Sequence, residues 1–465
     1  MQPNKTDLIS TTDLQLYCDG IAETDKLADN SGIYDLTAAQ VMNFYCTTGS
    51  VPANFEGGFI EISSDNVHVV YIPIGSLDTF IPLDTEGTSN SYIADRGAAS
   101  YSFTATIMGN GADGIIDEGK FEDASGNILT KAGGANIHPL SAKLLWQDTD
   151  ELVEQVGLSD GKVQVKMGRS RGNALIAVYD KANPNAEDAK VLWSWHLWCT
   201  PVPQIIECAT SIYTGNNYKV MDRNLGATTS EPNLGTTQGL HYQFGRKDPF
   251  SGSLSYDGER TILYDVRSST SILKAEIIDE AIQIRQALNF PDIYFLRHSD
   301  QEDWYEGVGA HYLWGNPEGR ASVHPVKTTK TIYDPCPAGY KILPGDVFFV
   351  FARTTKPSEY SNEIICKVEN LNSLFYVKKI EDGGTTFYAD GAGVDETKLI
   401  YLPLAYSPQW AAGKLHSSGY YWTSSPRGDD LWYQGFTFYN QSGSTYWLNN
   451  GLPSWRLASV RCVKE

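Results

Sequence analysis

The chain has 465 residues, 41% hydrophobic and 20% charged, which is the composition of a soluble globular protein with about three domains. Its net charge is −20 and it contains no run of basic residues, so nucleic acids and anionic membrane surfaces are excluded as main partners. No apolar run approaches the roughly 20 residues that are needed to span a membrane.

The N-terminal sequence, Met-Gln-Pro-Asn-Lys-Thr-Asp, lacks the apolar core of an export signal. We therefore expect either a cytoplasmic protein or a mature form from which such a signal has been removed. The seven cysteines form neither a CxxC motif nor a Cys/His cluster with zinc-ligand spacing. Their spacing alone does not assign disulfide pairs; they are Cys18, Cys46, Cys199, Cys208, Cys336, Cys366 and Cys462.

Residues 1–84 are predicted to form the first domain, built of β-strands. Two apolar runs, 59–63 and 67–74, flank a Ser-Asp-Asn turn, which is typical of a hairpin. The small polar residues at 85–91 indicate a domain junction.

Residues 85–203 begin with a glycine motif that resembles a nucleotide-binding loop. Gly109, Gly111 and Gly114 match G-x-G-x-x-G, and residues 101–107 alternate like a strand. The motif binds a pyrophosphate only where a helix follows, and here a turn-like Asp-Ala-Ser-Gly-Asn comes next, at 123–127. The glycines therefore indicate a connection between β-strands.

The rest of this second segment is also predicted to be β. Apolar residues alternate at Val163, Val165 and Met167. The apolar runs 174–179 and 191–198, separated by a polar loop, predict a hairpin of a small β-sandwich. A Thr-Pro-Val-Pro sequence then indicates a linker, so that the second domain is 85–203 and the third is 204–465.

The third segment carries the one strongly helical pattern of the chain. Apolar residues at helical spacing predict a helix over residues 271–290, ended by Pro291. Residues 347–352 are consistent with a helix or a buried strand, and about 60 residues at the end are β-like and rich in aromatic side chains.

The sequence contains no nucleophile elbow, Walker loop, H-E-x-x-H or EF-hand loop. Glu-Pro-Asn at 231–233 and Trp-Leu-Asn-Asn at 447–450 resemble the calcium- and sugar-binding strings of C-type lectins. Those lectins hold the two strings in one short loop, whereas here more than 200 residues separate them and Asn450 replaces an aspartate. We therefore expect no metal ligands and no cofactor, with Ca²⁺ as the open alternative.

A series of short motifs runs through the third segment in a fixed order. They are Met-Asp-Arg-Asn-Leu-Gly-Ala (221–227), Tyr-Gln-Phe-Gly-Arg-Lys-Asp-Pro-Phe (242–250), Asp-Trp (303–304), Leu-Trp-Gly (313–315), Tyr-Asp-Pro-Cys-Pro-Ala-Gly-Tyr (333–340), Gly-Tyr-Tyr-Trp-Thr-Ser-Ser (419–425) and Ser-Val-Arg-Cys-Val (459–463). Together they resemble the Fibrobacter succinogenes major paralogous domain, which is related to C-type-lectin-like folds. One departure is Lys-Ile-Leu-Pro-Gly-Asp at 341–346, where the family usually has Val-Pro and a tryptophan-bearing helix.

The second segment resembles the region that precedes this domain in fimbrillin-family surface proteins. The resemblance lies at 88–93, 101–103, 109–111, 172–177 and 192–196. Residues 1–84 resemble a generic bacterial immunoglobulin-like module. The implied fold is mostly β with an α+β C-terminal domain: two immunoglobulin-like β-sandwich modules followed by a C-type-lectin-like domain.

The resemblance implies a non-enzymatic, fimbria-associated or adhesive protein. It would be exported to the outer membrane, cell surface or fimbrium of a Gram-negative bacterium, with a lipid anchor that is removed or absent. Its expected partners are a surface glycan or protein, including fimbrial subunits. The alternatives are a true glycan-binding lectin, with or without Ca²⁺, and an oxidase of the formylglycine-generating type. The oxidase needs a cysteine pair near the end of the chain, where only Cys462 lies.

The resemblance also implies two sets of site residues. Cys336 and Cys462 belong to family motifs, and they are expected to form a disulfide. The late loops of lectin-like folds are the usual ligand surface, and residues 431–439 alternate there like a strand. We therefore expect Tyr433, Tyr439 and Trp447 to lie at or near an exposed aromatic patch that binds the partner.

Overall fold

The computed structural model describes four strands within residues 1–79, and it describes residues 80–465 with internal gaps. The backbone alone is described for the four early strands and for 311, 364–367, 418, 426, 433–439 and 445–452. The gaps are residues 96, 114–120, 131–133, 212–214, 233, 252–261, 272–273, 298–302, 307–310, 316–327, 352–363, 368–374, 382, 405–417, 427–432 and 440–444.

The chain divides into two compact units, Met1–Phe80 and Ile81–Glu465. In the first unit, β1 (Leu16–Cys18) pairs with β2 (Phe44–Cys46), and β3 (Gly58–Ser64) pairs with β4 (His68–Ile74), both antiparallel. Ser64 lies opposite His68, so the hairpin predicted for residues 59–74 is confirmed.

The second unit begins with two sheets. The strands of residues 81–203 are β5 (Ile81–Pro82), β6 (Ser91–Ala94), β7 (Ser100–Thr104), β8 (Ser141–Gln147), β9 (Val153–Ser159), β10 (Lys162–Met167), β11 (Gly172–Tyr179) and β12 (Val191–Cys199). One sheet has the order β5-β7-β10-β9, and the other contains β8-β11-β12-β6. The predicted antiparallel pairing of β11 with β12 is confirmed.

The core of this region lies between the two sheets. Val163, Val165 and Met167 are buried at alternate positions of β10, as their spacing predicts. They belong to the same apolar cluster as Phe103 and Trp195, whose rings lie 5.4 Å apart. The hydrophobic effect thus holds the two sheets face to face.

The glycine motif lies in a turn after β7. Gly109 has a φ of +47°, and a Cβ there would lie 2.5 Å from the carbonyl oxygen of Ile332. Residues Gly111–Asp113 form a single 3₁₀ turn, and Gly114 lies outside the described residues. At Gly109 and Gly111 the connection predicted between β-strands is confirmed, and Gly109 lets the turn pack against the third segment.

The remaining strands come from residues 205–464. They are β13 (Ile205–Glu207), β14 (Lys219–Met221), β15 (His241–Tyr242), β16 (Leu263–Tyr264), β17 (Thr270–Ser271), β18 (Lys274–Ile278), β19 (Ile293–Arg297), β20 (Tyr340–Ile342), β21 (Ile364–Lys367), β22 (Val377–Glu381), β23 (Gly384–Tyr388), β24 (Leu399–Pro403), β25 (Ser418–Pro426), β26 (Tyr433–Tyr439), β27 (Thr445–Leu452), β28 (Ala458–Ser459) and β29 (Cys462–Lys464). Short 3₁₀ helices lie at Gly235–Thr237, His311–Trp314 and Gly345–Phe351.

These strands form four further sheets and extend one of the first two. The orders are β13-β14-β29-β20, β15-β28-β25-β26-β27-β21, β22-β23-β24 and the pair β18-β19. β17 and β16 add to the edge of β8, which completes a six-stranded sheet. The fold class is therefore mostly β, as predicted.

The helix predicted over residues 271–290 is wrong for its first half. The structure has β17 and β18 there, and of the described residues in this range α1 (Ile284–Asn289) alone is helical. β18 pairs in parallel with β19, a partner that lies beyond the helix and is invisible to local spacing. Gln283 and Gln286 form a capping box that sets the start of α1.

Residues 347–351 of the ambiguous segment lie in a 3₁₀ helix, Gly345–Phe351, whose residues are all buried, and residue 352 lies outside the described residues. Because every side is covered, its apolar run carries no single period, which explains why its sequence is consistent with two structures.

Buried hydrogen bonds tie residues 81–203 to the rest of the second unit. Asn90 Nδ2 donates to the carbonyl oxygens of Ile332 (2.7 Å) and Asp334 (2.9 Å). Trp198 Nε1 donates to the carbonyl oxygen of Ala227 at 3.0 Å. The domain limits at 84 and 203 stay predictions, but residues on either side of 203 share one compact unit and its apolar clusters.

No helix among the described residues is long and apolar enough to cross a bilayer.

Candidate binding site

Arg461, which is 1% exposed, connects several of the sequence motifs of the third segment. Its guanidinium donates two hydrogen bonds to Asn224 Oδ1, at 3.0 and 2.7 Å, and one to the carbonyl oxygen of Tyr401 at 2.8 Å. Asn224 Nδ2 in turn donates to the hydroxyl of Tyr421 at 3.2 Å. Three motifs that lie far apart in sequence are thus bonded together inside the molecule.

A second group of motif residues surrounds the disulfide between Cys336 and Cys462, the pair that the resemblance implies. The carboxylate of Asp334 accepts the backbone N–H groups of Cys336 (2.8 Å) and Ile342 (2.9 Å). Lys330 Nζ donates to the carbonyl oxygen of Cys336 at 2.7 Å and lies 3.4 Å from the Asp334 carboxylate. The disulfide therefore joins β29 to a loop that is itself held by buried ionic groups.

The aromatic motif residues form the core beside this disulfide. Trp422 Nε1 donates to the carbonyl oxygen of Tyr242 at 2.7 Å. The ring of Phe244 lies 4.7 Å from that of Trp314 and 5.5 Å from that of Trp422. Since these residues are all fully buried, the motifs build the interior, and a ligand must be contacted by other residues.

The aromatic residues predicted to bind a partner lie on neighbouring strands. Tyr433 and Tyr439 are the end residues of β26, and Trp447 lies on β27. The register puts Trp447 opposite Thr437, two positions from Tyr439. Their exposure lies outside the described part of the structure, so the patch stays a prediction.

Replacing Trp447 with alanine is expected to weaken partner binding by about 1 kcal/mol or more, because aromatic anchors dominate interface energies. Isothermal titration calorimetry with the partner, once it has been captured with the full chain as bait, measures the change in affinity. Phe290→Ala, which removes an aromatic ring that is 52% exposed just after α1, is the matched control. Equal affinities for Trp447→Ala and the parent protein, with unchanged circular dichroism, would move the site elsewhere.

A cleft of about 590 Å³ lies beside the sheet of β13, β14, β29 and β20. Val463 in its lining pairs with Val220 on one side and with Lys341 on the other. By strand alternation, Tyr218 and Glu465 lie on the same face of the sheet as Val463. The pairing continues past the strand ends, because Tyr218 O accepts the N–H of Cys208 (2.9 Å) and the N–H of Glu465 donates to Gly339 O (3.1 Å).

The side chains of the cleft are held in place by hydrogen bonds. The Tyr218 hydroxyl donates to Asp346 Oδ2 at 2.7 Å and accepts from Asn216 Nδ2 at 3.2 Å. The ammonium of Lys341 donates to the carbonyl oxygen of Thr328. Tyr218 also packs against an apolar cluster that contains Val463. The cleft therefore combines a fixed aromatic ring with hydrogen-bond donors and acceptors, and its volume lies in the range of roughly 300–1,000 Å³ that small-molecule sites have.

Sequence reasoning missed this cleft, because more than 100 residues separate each of its three parts, at 216–219, 328–344 and 463–465. Only strand pairing brings these parts together. The one sequence feature that could have indicated the cleft is a polar residue directly after each of two motifs: Lys341 follows Tyr340, and Lys464 follows Val463.

A cluster of Ser194, Lys247 and Asp248 has the composition of a catalytic site but is internal. Lys247 Nζ donates to Ser194 Oγ (2.5 Å) and to Asp248 Oδ1 (2.6 Å), and the Ser194 hydroxyl donates to the same carboxylate oxygen at 2.5 Å. Burial lowers the pKa of Lys247 to about 8 despite the nearby carboxylate of Asp248. The side chains of the ion pair are only 1–2% exposed, and their hydrogen bonds to Ser194 tie the 242–250 motif to β12.

Two of the histidines in the described part of the chain are fully buried. His196 has Nδ1 3.0 Å from Ser91 Oγ and Nε2 2.9 Å from Asn173 Oδ1. His241 has no hydrogen-bond partner for either ring nitrogen within the described residues. Burial lowers the pKa of His196 to about 3 and that of His241 to about 4, so both rings are neutral at pH 7.

Among the described residues, no group of three or more His, Cys, Asp or Glu side chains is placed to hold a metal ion. Glu231 lies in an exposed segment, and Asn233 lies outside the described residues. A Ca²⁺ site therefore stays an untested alternative.

Comparison of the chain with family models, with curated proteins and with solved structures gives no match.

Proposed function

We propose that the protein is a non-enzymatic binding protein exported to the outer membrane, cell surface or fimbrium of a Gram-negative bacterium. In this proposal, two immunoglobulin-like β-sandwich modules precede an α+β, lectin-like domain that contacts a surface glycan or protein. The order and spacing of the motifs from residue 221 to residue 463 support the proposal.

The observation that carries the proposal is the use of the motif residues as an internal frame. Signature residues of an enzyme are expected at its reaction site, in contact with substrate. Here Arg461, Asn224, Cys336 and Cys462 are buried and bonded within the frame. A frame of this kind supports a scaffold role, in which exposed loops and the cleft bind the ligand.

The state of Cys462 favours binding over the oxidase alternative. That chemistry needs a reactive cysteine pair near the end of the chain. Cys462 is fully buried and bonded to Cys336, which lies 126 positions earlier. A buried structural disulfide is a poor nucleophile or copper ligand, because those roles need an accessible thiolate.

The proposal is tested with the purified full chain as bait against outer-membrane extract and an array of surface glycans. We expect capture of a defined surface protein or glycan, whereas an immobilised unrelated protein of similar net charge captures none. Calorimetry with simple sugars, with and without EDTA, then separates a Ca²⁺-dependent lectin from a protein-binding module. Failure to retain any surface component would contradict the proposed function.

The chain is expected not to bind DNA or heparin at moderate salt. A net charge of −20, in a sequence with no run of basic residues, repels polyanions. A gel-shift assay at micromolar protein measures this. A salt-sensitive shift would contradict the expectation.

A further inference from the structure

We propose that the cleft beside β14, β29 and β20 is a binding site for a neutral saccharide. This inference rests on the proposed function, and it assigns a ligand class to one particular surface. The site lies at the ends of three strands, and its residues are distinct from the aromatic residues of β26 and β27.

The chemistry of the lining matches the two kinds of surface that a sugar ring presents. A pyranose has an apolar face of C–H groups and an edge of hydroxyls, each of which donates and accepts hydrogen bonds. The partly exposed Tyr218 ring supplies an apolar surface, and the bond from the Tyr218 hydroxyl to Asp346 fixes the ring before a ligand arrives. A side chain that is already ordered loses little conformational entropy on binding.

The polar groups of the cleft include both donors and acceptors. Glu465 provides acceptor oxygens, Lys341 provides an ammonium donor, and the Asn216 amide provides both. Glu465 and Asn216 are exposed, and Lys341 is partly exposed, so a ligand in the cleft reaches them. A mixed set of this kind suits hydroxyl groups, since a single hydroxyl can accept from one group and donate to another.

The charge balance favours a neutral sugar over an acidic one. On the face that Val463 shares, Lys341 is opposed by Glu465, so the two formal charges cancel. Lys219 and Lys464 also line the cleft, but alternation puts them on the other face, and Lys219 is paired with Glu207 at 2.5 Å. The net charge of −20 would also repel an anionic sugar.

The test is isothermal titration of the full chain with cellotriose, mannotriose and trigalacturonic acid, at low and high salt. We expect binding of at least one neutral trisaccharide with little dependence on salt. The double variant Asn216→Ala/Glu465→Ala should weaken that binding about tenfold, because it removes two exposed hydrogen-bonding groups. The control Asn185→Ala/Glu187→Ala makes the same changes in the exposed loop between β11 and β12, and it should bind like the parent protein.

Unchanged affinity of the cleft variant, or no binding of either neutral trisaccharide, would overturn the proposal. Preferred binding of trigalacturonic acid that weakens steeply with salt would overturn the neutral class. Capture of a surface component by the cleft variant as well as by the parent, without sugar binding, would reject the cleft while the proposed function stands. If the parent captures no surface component, the proposed function itself fails.

Discussion

Replacing both Cys336 and Cys462 with alanine is expected to lower the free energy of unfolding by about 4–5 kcal/mol. The disulfide closes a loop between positions 126 residues apart, and removing it restores the conformational entropy of that loop to the unfolded chain. Urea denaturation followed by tryptophan fluorescence measures the change. All 11 tryptophans lie in the second compact unit, so this signal reports on that unit alone.

The free cysteines supply the matched controls. Cys199 and Cys208 are buried thiols, and burial raises the pKa of Cys199 to about 11 and that of Cys208 to about 12. Cys199→Ala and Cys208→Ala remove sulfur atoms without opening a loop, so each should cost about 1 kcal/mol. A reductant should destabilise the parent but not the double variant. Peptide mapping that finds free thiols at 336 and 462 after oxidative expression would contradict the disulfide.

Acidification from pH 7 to pH 4.5 is expected to destabilise the second unit by about 5 kcal/mol, because His196 and His241 are buried as neutral rings. Their pKa values fall to about 3 and about 4 in the folded state, against about 6.5 in the unfolded chain. Between these limits the unfolded state binds more protons, so stability falls as the pH falls through this window. Each histidine contributes about 1.4 kcal/mol per pH unit.

One carboxyl opposes this trend. Burial raises the pKa of Asp148, so the folded state binds a proton there before the unfolded state does, which favours folding at low pH. The histidines outnumber it, and the net change is therefore a loss of stability.

Denaturation at several pH values, by the same fluorescence signal, tests the acid effect. His196→Gln should reduce the slope of stability against pH by about 1.4 kcal/mol per unit, because one titrating group is removed. His138→Gln makes the same substitution at an exposed position and is the matched control. Stability that stays flat from pH 7 to pH 4.5, or an equal change of slope in both variants, would contradict the assignment.

Patterns within single strands predict the structure well where the two faces of a strand differ. Val163, Val165 and Met167 alternate because β10 has one face toward the core, and a period of two is visible in the sequence itself. The helix prediction fails at residues 274–278 because their strand partner, β19, lies beyond α1. Nothing in the local sequence distinguishes a parallel strand from the start of a helix. In such cases the tertiary pairing of strands determines the secondary structure, and the local spacing of apolar residues contains no information about that pairing.

The candidate sites differ in the same way. The disulfide follows from a family resemblance, since two cysteines in separate motifs carry no pairing information of their own. The cleft depends on the register of Val463 between Val220 and Lys341, which are 121 residues apart. A residue in a conspicuous motif, such as Arg461, can be taken from the sequence for a binding or catalytic residue. In the structure Arg461 is buried, and its side chain is hydrogen-bonded to Asn224.

The position of β28 and β29 in their sheets has a consequence for synthesis of the protein. β28 lies between β15 and β25, and β29 lies between β14 and β20, so residues 458–464 occupy the interior of two sheets. A ribosome that has made residues 81–457 has not yet supplied either strand. The strands that flank β28 and β29 therefore lack these partners until residues 458–464 have been synthesised. A chain that is interrupted before residue 458 leaves strand edges in two sheets unpaired, and these edges can pair with other molecules.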